Sequence, residues 1–255
     1  MAKRITLEEI LPLYRQGKSN KFIAETLNRD PHAIGNFLKR NNLLPHGSGR
    51  DFIKVKDLDI LIGTLLGDSS LKYGSAKYPC LAFNHASSQR KYFFHKTKLF
   101  SYLSNRVVYN PVKQTSAFGE IEVYSYTSKY LKSLEELEKI FYVNRKKIIP
   151  LEYLEKHFTE KSLAYLFMDD GNINGKTVNF NLQSFTEEEQ KGFIRFLEEK
   201  FNLKFTLQKN RNYLRLYLRQ ESVLNFVNVV SPYVIESMQY KLPMSSLNFV
   251  NLGKP

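Results

Sequence analysis

Two aspartates that each end an apolar segment are the residues of this chain best suited to metal chemistry. Asp68 ends the segment "DLDILIGTLLGD", and Asp170 ends "KSLAYLFMDD" 102 residues later. Mg²⁺ is commonly held by one or two carboxylates together with a substrate phosphate. Two carboxylates brought to one centre could therefore hold metal ions that activate water and stabilise the leaving oxygen in phosphodiester hydrolysis. The alternative is that each carboxylate only caps the next element.

Two lysines with matching neighbours accompany the aspartates. Lys147 lies in "RKKIIP" and Lys241 lies in "QYKLP", each shortly before a proline. A cationic amine beside a reacting phosphate could stabilise developing charge or polarise the attacking water. Simple phosphate anchoring is the alternative, and we expect the neighbouring Lys146 to do that.

The same order of predicted elements occurs twice after residue 56. Each copy has an apolar helix ending in aspartate, a strand, an amphipathic helix, a returning hairpin strand, another helix and a basic turn before proline. A period of 102 residues is far longer than a solenoid unit. We therefore predict an α+β fold that contains one domain twice, over 57–158 and 159–255, with pseudo-two-fold symmetry.

Apolar and polar residues alternate along the predicted strands, which gives each sheet one face toward the core and one polar face. Amide, Arg and Tyr side chains on the polar face could pair with base edges in the major groove of DNA. The residues predicted to face the core are Ile121, Val123, Val178, Phe180, Leu182, Leu214, Leu216 and Leu218, and those predicted to face outward are Glu122, Tyr124, Asn179, Asn181, Gln183, Tyr213, Arg215 and Tyr217.

Residues 1–45 are predicted to form three short helices. Thr6 and Glu9 have the spacing of a capping box, and Asp30 followed by Pro31 is a typical helix start. Two short helices joined by a tight turn, with a polar and basic outer face on the second, favour a helix-turn-helix DNA-binding domain. A small helical scaffold that binds protein is the alternative. The stretch 46–56, which includes Gly, Ser and Asp residues, is predicted to be a linker.

The composition restricts the partners. A net charge of +13 predicts a polyanionic binding partner, either nucleic acid or an anionic membrane. No apolar run reaches the length of a bilayer span, so we expect no membrane insertion. The single cysteine excludes an internal disulfide framework, and with five histidines it forms no recognisable zinc motif. We expect a soluble protein in a reducing compartment, the cytoplasm of a bacterium or phage-infected cell or an organelle matrix.

The segments "LIGTLLGDS" (61–69) and "LAYLFMDDG" (163–171) resemble the two copies of the LAGLIDADG motif of homing endonucleases. The resemblance implies that the two motif helices pack side by side as the interface between the copies, with both carboxylates beneath the DNA minor groove. It implies Asp68 and Asp170 as metal ligands, helped by the backbone carbonyls of Gly67 and Asp169. It also implies that Lys147 and Lys241 are active-site lysines and that the metal is Mg²⁺, with Mn²⁺ as a substitute.

The function expected from this resemblance is site-specific double-strand cleavage of DNA by a monomer, at a long target and with short 3′ overhangs. Ser69 replaces the motif glycine, while Tyr165 and Asp169 replace small residues, so we expect unequal halves and an asymmetric target. A non-cleaving DNA-binding regulator and an intron maturase that binds its own intron RNA are the alternatives. The expected DNA contacts are His32, Asn36, Lys39 and Arg40 near the N-terminus and Lys72, Asn84, Glu122, Tyr124, Lys146, Asn179, Asn181, Gln183, Arg211, Arg215 and Tyr217 in the repeats.

Overall fold

The computed structural model describes residues 5–16, 18, 20–41, 43, 55–74, 76–104, 111–116, 119–210 and 213–243. Within these ranges, ten α-helices and ten β-strands follow one another, with a helical N-terminal segment before two α+β repeats. No α-helix in the described ranges is both long enough and apolar enough to cross a membrane.

Three N-terminal helices pack around a small core of their own. The Thr6 hydroxyl accepts the Glu9 N–H and the Glu9 carboxylate accepts the Thr6 N–H, which is the expected capping box. The Asp30 carboxylate accepts the Ala33 N–H at 3.0 Å and caps the third helix. A helix-turn-helix role for this segment stays a prediction, and residues 46–54 of the expected linker lie outside the described part. The helices are α1 (Leu7–Arg15), α2 (Asn20–Thr26) and α3 (Pro31–Arg40), and the buried residues are Ile10, Tyr14, Ile23, Ala24, Ile34 and Leu38.

The first repeat combines a four-stranded antiparallel sheet with the motif helix and three further helices. Its strand order is β1-β2-β4-β3, and a small β5–β6 hairpin follows. The elements are α4 (Leu58–Leu66), β1 (Ser70–Lys72), β2 (Cys80–Ala86), α5 (Arg90–Leu99), β3 (Val112–Ser116), β4 (Gly119–Thr127), α6 (Glu135–Phe141), β5 (Tyr142–Val143), β6 (Lys146–Lys147) and α7 (Leu151–His157).

The second repeat reproduces that sheet. Its strand order is β7-β8-β10-β9, which matches the order of the first sheet strand for strand. The predicted duplication is therefore present in the fold. Its final basic turn is a 3₁₀ helix over Glu236–Lys241, where the first repeat has a hairpin. The elements are α8 (Glu160–Asp170), β7 (Gly171–Asn174), β8 (Thr177–Phe180), α9 (Glu187–Phe201), β9 (Phe205–Asn210), β10 (Tyr213–Leu218) and α10 (Val223–Val230).

The two motif helices, α4 and α8, pack directly against each other. Seven of the nine residues of α4 and eight of the eleven residues of α8 are buried, as expected for helices at the centre of a domain. Gly63 allows the close approach, because a Cβ atom there would lie 2.2 Å from the Ser162 carbonyl oxygen. The Ser162 hydroxyl donates across the same contact to the Asp59 carbonyl oxygen at 2.7 Å. This packing brings the C-terminal ends of α4 and α8 together.

The predicted core residues of the second sheet are buried except Leu214, which is half-buried, but Asn179, predicted to face outward, is buried too. Val178, Phe180 and Leu182 are buried, as are Leu216 and Leu218 on β10. The polar side chains of Arg215 and Tyr217 lie on the opposite face and are half-buried.

On strand β4 of the first sheet the predicted faces are wrong for Tyr124 and Ile121, whereas Val123 is buried and Glu122 is exposed, as predicted. Tyr124 is buried, with its ring centroid 5.2 Å from that of Phe93, whereas Ile121 is 42% exposed. Tyr126 also faces the core and stacks on Phe83 at 4.6 Å. The rings of Tyr124 and Tyr126 bury more apolar area than the side chains of Ile121 and Val123, so the tyrosines decide which side of the strand faces the core.

Candidate active site at the interface of the repeats

The two aspartates lie at the ends of the two packed motif helices. Asp68 follows α4 in a turn, and Asp170 is the last residue of α8. The turns are in contact, since a Cβ atom on Gly67 would lie 2.6 Å from the Asp169 Cβ. Asp68 keeps 36% of its side chain exposed, so the site is open to a ligand.

Both carboxyl groups have raised pKa values. Burial, and then the negative charge of Asp169, raise the pKa of Asp68 to about 6. Burial, and then the charge of Asp68, raise the pKa of Asp170 to about 8. Repulsion between carboxylates therefore contributes at both positions. An arrangement that disfavours two negative charges is one that a bound cation would stabilise.

Each lysine reaches the motif turn of its own repeat. Lys147 on β6 donates from Nζ to the carbonyl oxygens of Gly67 at 3.0 Å and Ser69 at 2.8 Å. Lys241 donates from Nζ to the carbonyl oxygens of Met168 at 2.6 Å and Asp169 at 3.3 Å. Carbonyl groups at a helix C-terminus lack partners within the helix and attract cations, which explains both contacts. Burial lowers the pKa of both lysines.

The structure thus brings together the four residues that were predicted to carry out chemistry. Asp68, Asp170, Lys147 and Lys241 all lie at the junction of α4 and α8. The carbonyls of Gly67 and Asp169, which were expected to help hold a metal, accept hydrogen bonds from the lysines in this structure.

The Asp169 side chain is a third acidic group at the junction, and the sequence did not predict its role. Its carboxylate crosses from α8 into the first repeat, where Lys96 Nζ lies 3.0 Å from both oxygens. The Tyr92 hydroxyl donates to Asp169 Oδ1 at 2.6 Å, and the Asp68 backbone N–H donates to Oδ2 at 3.2 Å. The only signal in the sequence was an extra acid where the first motif has Gly67. Its partners could not be identified without the packing.

His85 on β2 was also missed. Its Nδ1 lies 3.7 Å from Asp68 Oδ2 and 3.1 Å from Gln89 Oε1. Burial, and then the positive charge of Lys96, lower the pKa of His85 to about 4, so the imidazole is neutral at pH 7. Ligand atoms of Asp68, His85 and Asp169 all lie within 4.8 Å of one another. Because Asp169 is already paired with Lys96, Asp68 is the acid of this group with a free carboxylate face.

Two expected DNA contacts in the second repeat, Asn181 and Asn179, are not exposed. The Asn181 amide donates to the Asp170 carbonyl oxygen at 3.0 Å and to Asn172 Oδ1 at 3.0 Å, so it satisfies the end of α8. Asn179 is 4% exposed, opposite Asn172 and Tyr217 in the ladder. Gln183 lies in a turn beyond the end of β8 and not on the strand.

The other expected DNA contacts divide by exposure. Tyr124 is buried and is not available to DNA as the structure stands. The side chain of Lys39 and residue Arg211 lie outside the described part of the chain. The exposed residues are His32, Asn36, Arg40, Lys72, Asn84, Glu122 and Lys146, and the half-buried ones are Arg215 and Tyr217.

Comparisons with known proteins place this chain in one family. Residues 58–226 match the sequence profile of the LAGLIDADG DNA endonuclease family. A relative named probable intron-encoded endonuclease 1, from Wickerhamomyces canadensis, is 32% identical over 194 residues, which cover 72% of this chain and 82% of the relative. A relative named cytochrome b mRNA maturase bI2, from Debaryomyces hansenii, is 29% identical over 191 residues, 72% of each chain.

A solved structure agrees with these relatives. It is described as the homing endonuclease I-WcaI bound to its DNA recognition sequence, and it has 27% sequence identity and a TM-score of 0.69. The match covers 82% of this chain and 92% of that one. The profile match covers most of the chain, and the duplicated sheet and paired motif helices agree with it. The chain belongs to the LAGLIDADG DNA endonuclease family.

Proposed function

We propose that the protein is a monomeric, site-specific endonuclease that cuts both strands of a DNA duplex. The observation that carries the proposal is the convergence of one aspartate and one lysine from each repeat at the α4–α8 junction. The two strands of a duplex are themselves related by a local two-fold axis. A pseudo-two-fold pair of acid and amine groups is therefore suited to two scissile phosphates.

Asp68 and Asp170 are the proposed ligands for Mg²⁺, with Mn²⁺ as a substitute. Their oxygens are hard donors, and burial together with mutual repulsion disfavours both negative charges without a cation. The carbonyl oxygens of Gly67 and Asp169 are the proposed further ligands, and each keeps one lone pair beside the hydrogen bond that it accepts from a lysine. Bound Mg²⁺ would supply a Lewis acid for the phosphate and a more acidic water.

Lys147 and Lys241 are proposed to stabilise charge on the reacting phosphates. Each amine is held at the motif turn by two carbonyl oxygens, so its position relative to the nearby carboxylate is set before DNA binds. Such preorganised cations stabilise charge that develops during phosphodiester hydrolysis.

The polar faces of the two sheets are proposed to lie in the major groove on either side of the cut. The net charge of +13 suits a long phosphate contact, and I-WcaI is described as bound to its DNA recognition sequence. Lys72 and Asn84 in the first repeat and Arg215 and Tyr217 in the second are accessible on these sheets. Unequal halves favour an asymmetric target. We propose short 3′ overhangs and flanking contacts by α3.

A second role as an intron RNA maturase is also proposed, because the Debaryomyces hansenii relative is named an mRNA maturase. A non-cleaving regulator is less well supported, since the acidic residues of both motifs are retained.

Plasmid cleavage tests the proposal. Wild-type protein is first incubated with Mg²⁺ and a library of plasmids with random inserts, and sequencing of the new ends identifies the target. We expect Mg²⁺ or Mn²⁺ to allow linearisation of a target plasmid and EDTA to prevent it. Asp68→Asn and Asp170→Asn should each retain target binding and lose cleavage by about 10³-fold or more. Tight binding without cleavage under either metal would overturn the nuclease proposal in favour of a regulator.

A further inference from the structure

The Asp169 carboxylate is a buried charge that links the two repeats. It comes from α8 of the second repeat, while its partners Lys96 and Tyr92 both lie on α5 of the first. The side chains of Asp169 and Lys96 have no exposed surface, and Tyr92 is fully buried. A buried ion pair by itself is weak support for stability, because apolar side chains of similar volume often serve equally well. The pair therefore calls for another explanation.

The contact of the Asp169 carboxylate with the backbone of Asp68 supplies that explanation. Asp169 Oδ2 accepts the backbone N–H of Asp68 at 3.2 Å, so the carboxylate holds the turn that carries a proposed metal ligand. Lys147 contacts the same turn through the carbonyl oxygens of Gly67 and Ser69. Lys96 and Tyr92 in turn fix the carboxylate with three hydrogen bonds of 3.0 Å or less.

This support by a buried carboxylate is present at the Asp68 turn and not at the Asp170 turn. The residue of the first repeat that corresponds to Asp169 is Gly67, which has no side chain and whose Cβ position is blocked by Asp169 itself. The turn at Asp170 is held by Asn181 and Lys241 instead. The two carboxylates of the proposed centre are therefore supported in different ways.

We propose that Lys96 and Tyr92 are positioning residues that act through Asp169 to hold the Asp68 turn, and that they serve cleavage of one DNA strand more than the other. The inference rests on the proposed nuclease function. The hydrogen-bonded network of Lys96, Tyr92 and Asp169 and the Lys147 amine both support the turn over 67–69. We therefore expect that removal of the network slows cleavage of the same DNA strand that removal of the Lys147 amine slows.

The test measures the two strands separately. A target plasmid, identified as above, is cut under single-turnover conditions, and each strand's rate constant is followed with a strand-specific end label. Lys147→Met and Lys241→Met show which strand each repeat serves. Tyr92→Phe removes one hydrogen bond and leaves the ion pair. Lys96→Met with Asp169→Leu removes both buried charges and the acceptor of the Asp68 N–H, so no unpaired charge remains to unfold the protein.

Displacement of a catalytic group by about 1 Å can slow a reaction by about 100-fold. We expect the double variant to slow the strand that Lys147→Met slows by about 10- to 100-fold and the other strand by less than about threefold. Tyr92→Phe should shift the same ratio less. DNA affinity in EDTA should stay unchanged. Phe93→Leu on the same helix is the control, because Phe93 packs in the core of the first repeat and should slow neither strand selectively.

Three outcomes overturn the inference. Equal slowing of both strands, or greater slowing of the strand that Lys241→Met slows, would show that the network does not act through the Asp68 turn. Wild-type rates on both strands in the double variant would show that it has no positioning role. These results differ from failure of the proposed function, in which the wild-type protein itself would cut no plasmid.

Discussion

Gly63 on α4 offers a direct test of the helix contact that places the two carboxylates together. An alanine Cβ there would lie 2.2 Å from the Ser162 carbonyl oxygen and 3.0 Å from the Ser162 Cα. Ordinary carbon–oxygen contacts begin at roughly 3.3 Å, so Gly63→Ala requires α4 and α8 to separate by about 1 Å. The contact cannot be relieved by a side-chain rotation, since the obstructing atoms are backbone.

The magnitude follows from three effects. Overpacking costs about 3 kcal/mol at the upper end of its usual range. Loss of the 2.7 Å hydrogen bond from Ser162 to the Asp59 carbonyl adds about 1 kcal/mol. Alanine regains about 1 kcal/mol over glycine within a helix. The net loss in the free energy of unfolding is therefore about 3 kcal/mol, which lowers the Tm by roughly 5–10 °C for a domain of this size. Separation of the carboxylates by about 1 Å should slow cleavage by up to about 100-fold.

Gly192 on α9 is the matched control. It is also a buried helical glycine, but the one atom that an alanine Cβ there would crowd is Leu151 Cδ1, at 2.7 Å, and the flexible side chain of Leu151 can move away. Gly192→Ala should change stability by less than about 1 kcal/mol. Thermal unfolding and single-turnover cleavage, measured below both melting temperatures, compare the two variants. If the Tm of Gly63→Ala equals that of Gly192→Ala and its cleavage rate equals that of the wild type, the backbones of α4 and α8 are not in the close contact described above.

Two further predictions concern protonation and the N-terminal helices. The pKa values of about 6 for Asp68 and about 8 for Asp170 exceed the ordinary value of 3.8, so the folded protein binds more protons than the unfolded chain between about pH 4 and pH 8. In EDTA, stability should therefore fall as the pH rises through this window, and Asp170→Asn should melt above the wild type near pH 9 but level with it near pH 4. Addition of Mg²⁺ near pH 9 should raise the wild-type Tm more than that of the variant, and identical wild-type and Asp170→Asn profiles would contradict the pKa assignment. Asn36 and Arg40 are both exposed on α3. The double variant Asn36→Ala with Arg40→Ala should bind a long target about tenfold more weakly than the wild type, and should bind a target shortened to the length of the repeats as tightly as the wild type does. If the variant and the wild type bind the long target equally well, α3 does not contact the DNA.

The residues at the junction could be predicted because their signals are local and occur twice. Asp68 and Asp170 end apolar helices, and Lys147 and Lys241 precede prolines in corresponding turns. A duplicated pattern also implies pseudo-two-fold symmetry, and the resemblance to the LAGLIDADG motif implies that the motif helices lie at the axis. Helix periodicity and the alternation of β10 follow from burial of one face, which adjacent residues reveal.

The errors have a common cause in packing between distant segments. The phase of β4 depends on which of its residues contact Phe93 and Phe83, and the strand alone offers both aliphatic and tyrosine candidates. Asn181 has the alternation of an outward residue, yet its amide is used by the end of α8. The ion pair of Lys96 and Asp169 joins two repeats across 73 residues of sequence, and no local pattern marks it.

The two repeats differ at the helix junction for a steric reason. A symmetric pair of motif turns would place either two glycines or two acidic side chains at positions 67 and 169. Two acids could not share the space, because even a Cβ atom on Gly67 would lie 2.6 Å from the Asp169 Cβ. One acid and one glycine can, provided that the first repeat supplies a cation for the acid, which Lys96 does. The same substitution that breaks the symmetry therefore ties the two repeats together at the point where both proposed ligands lie.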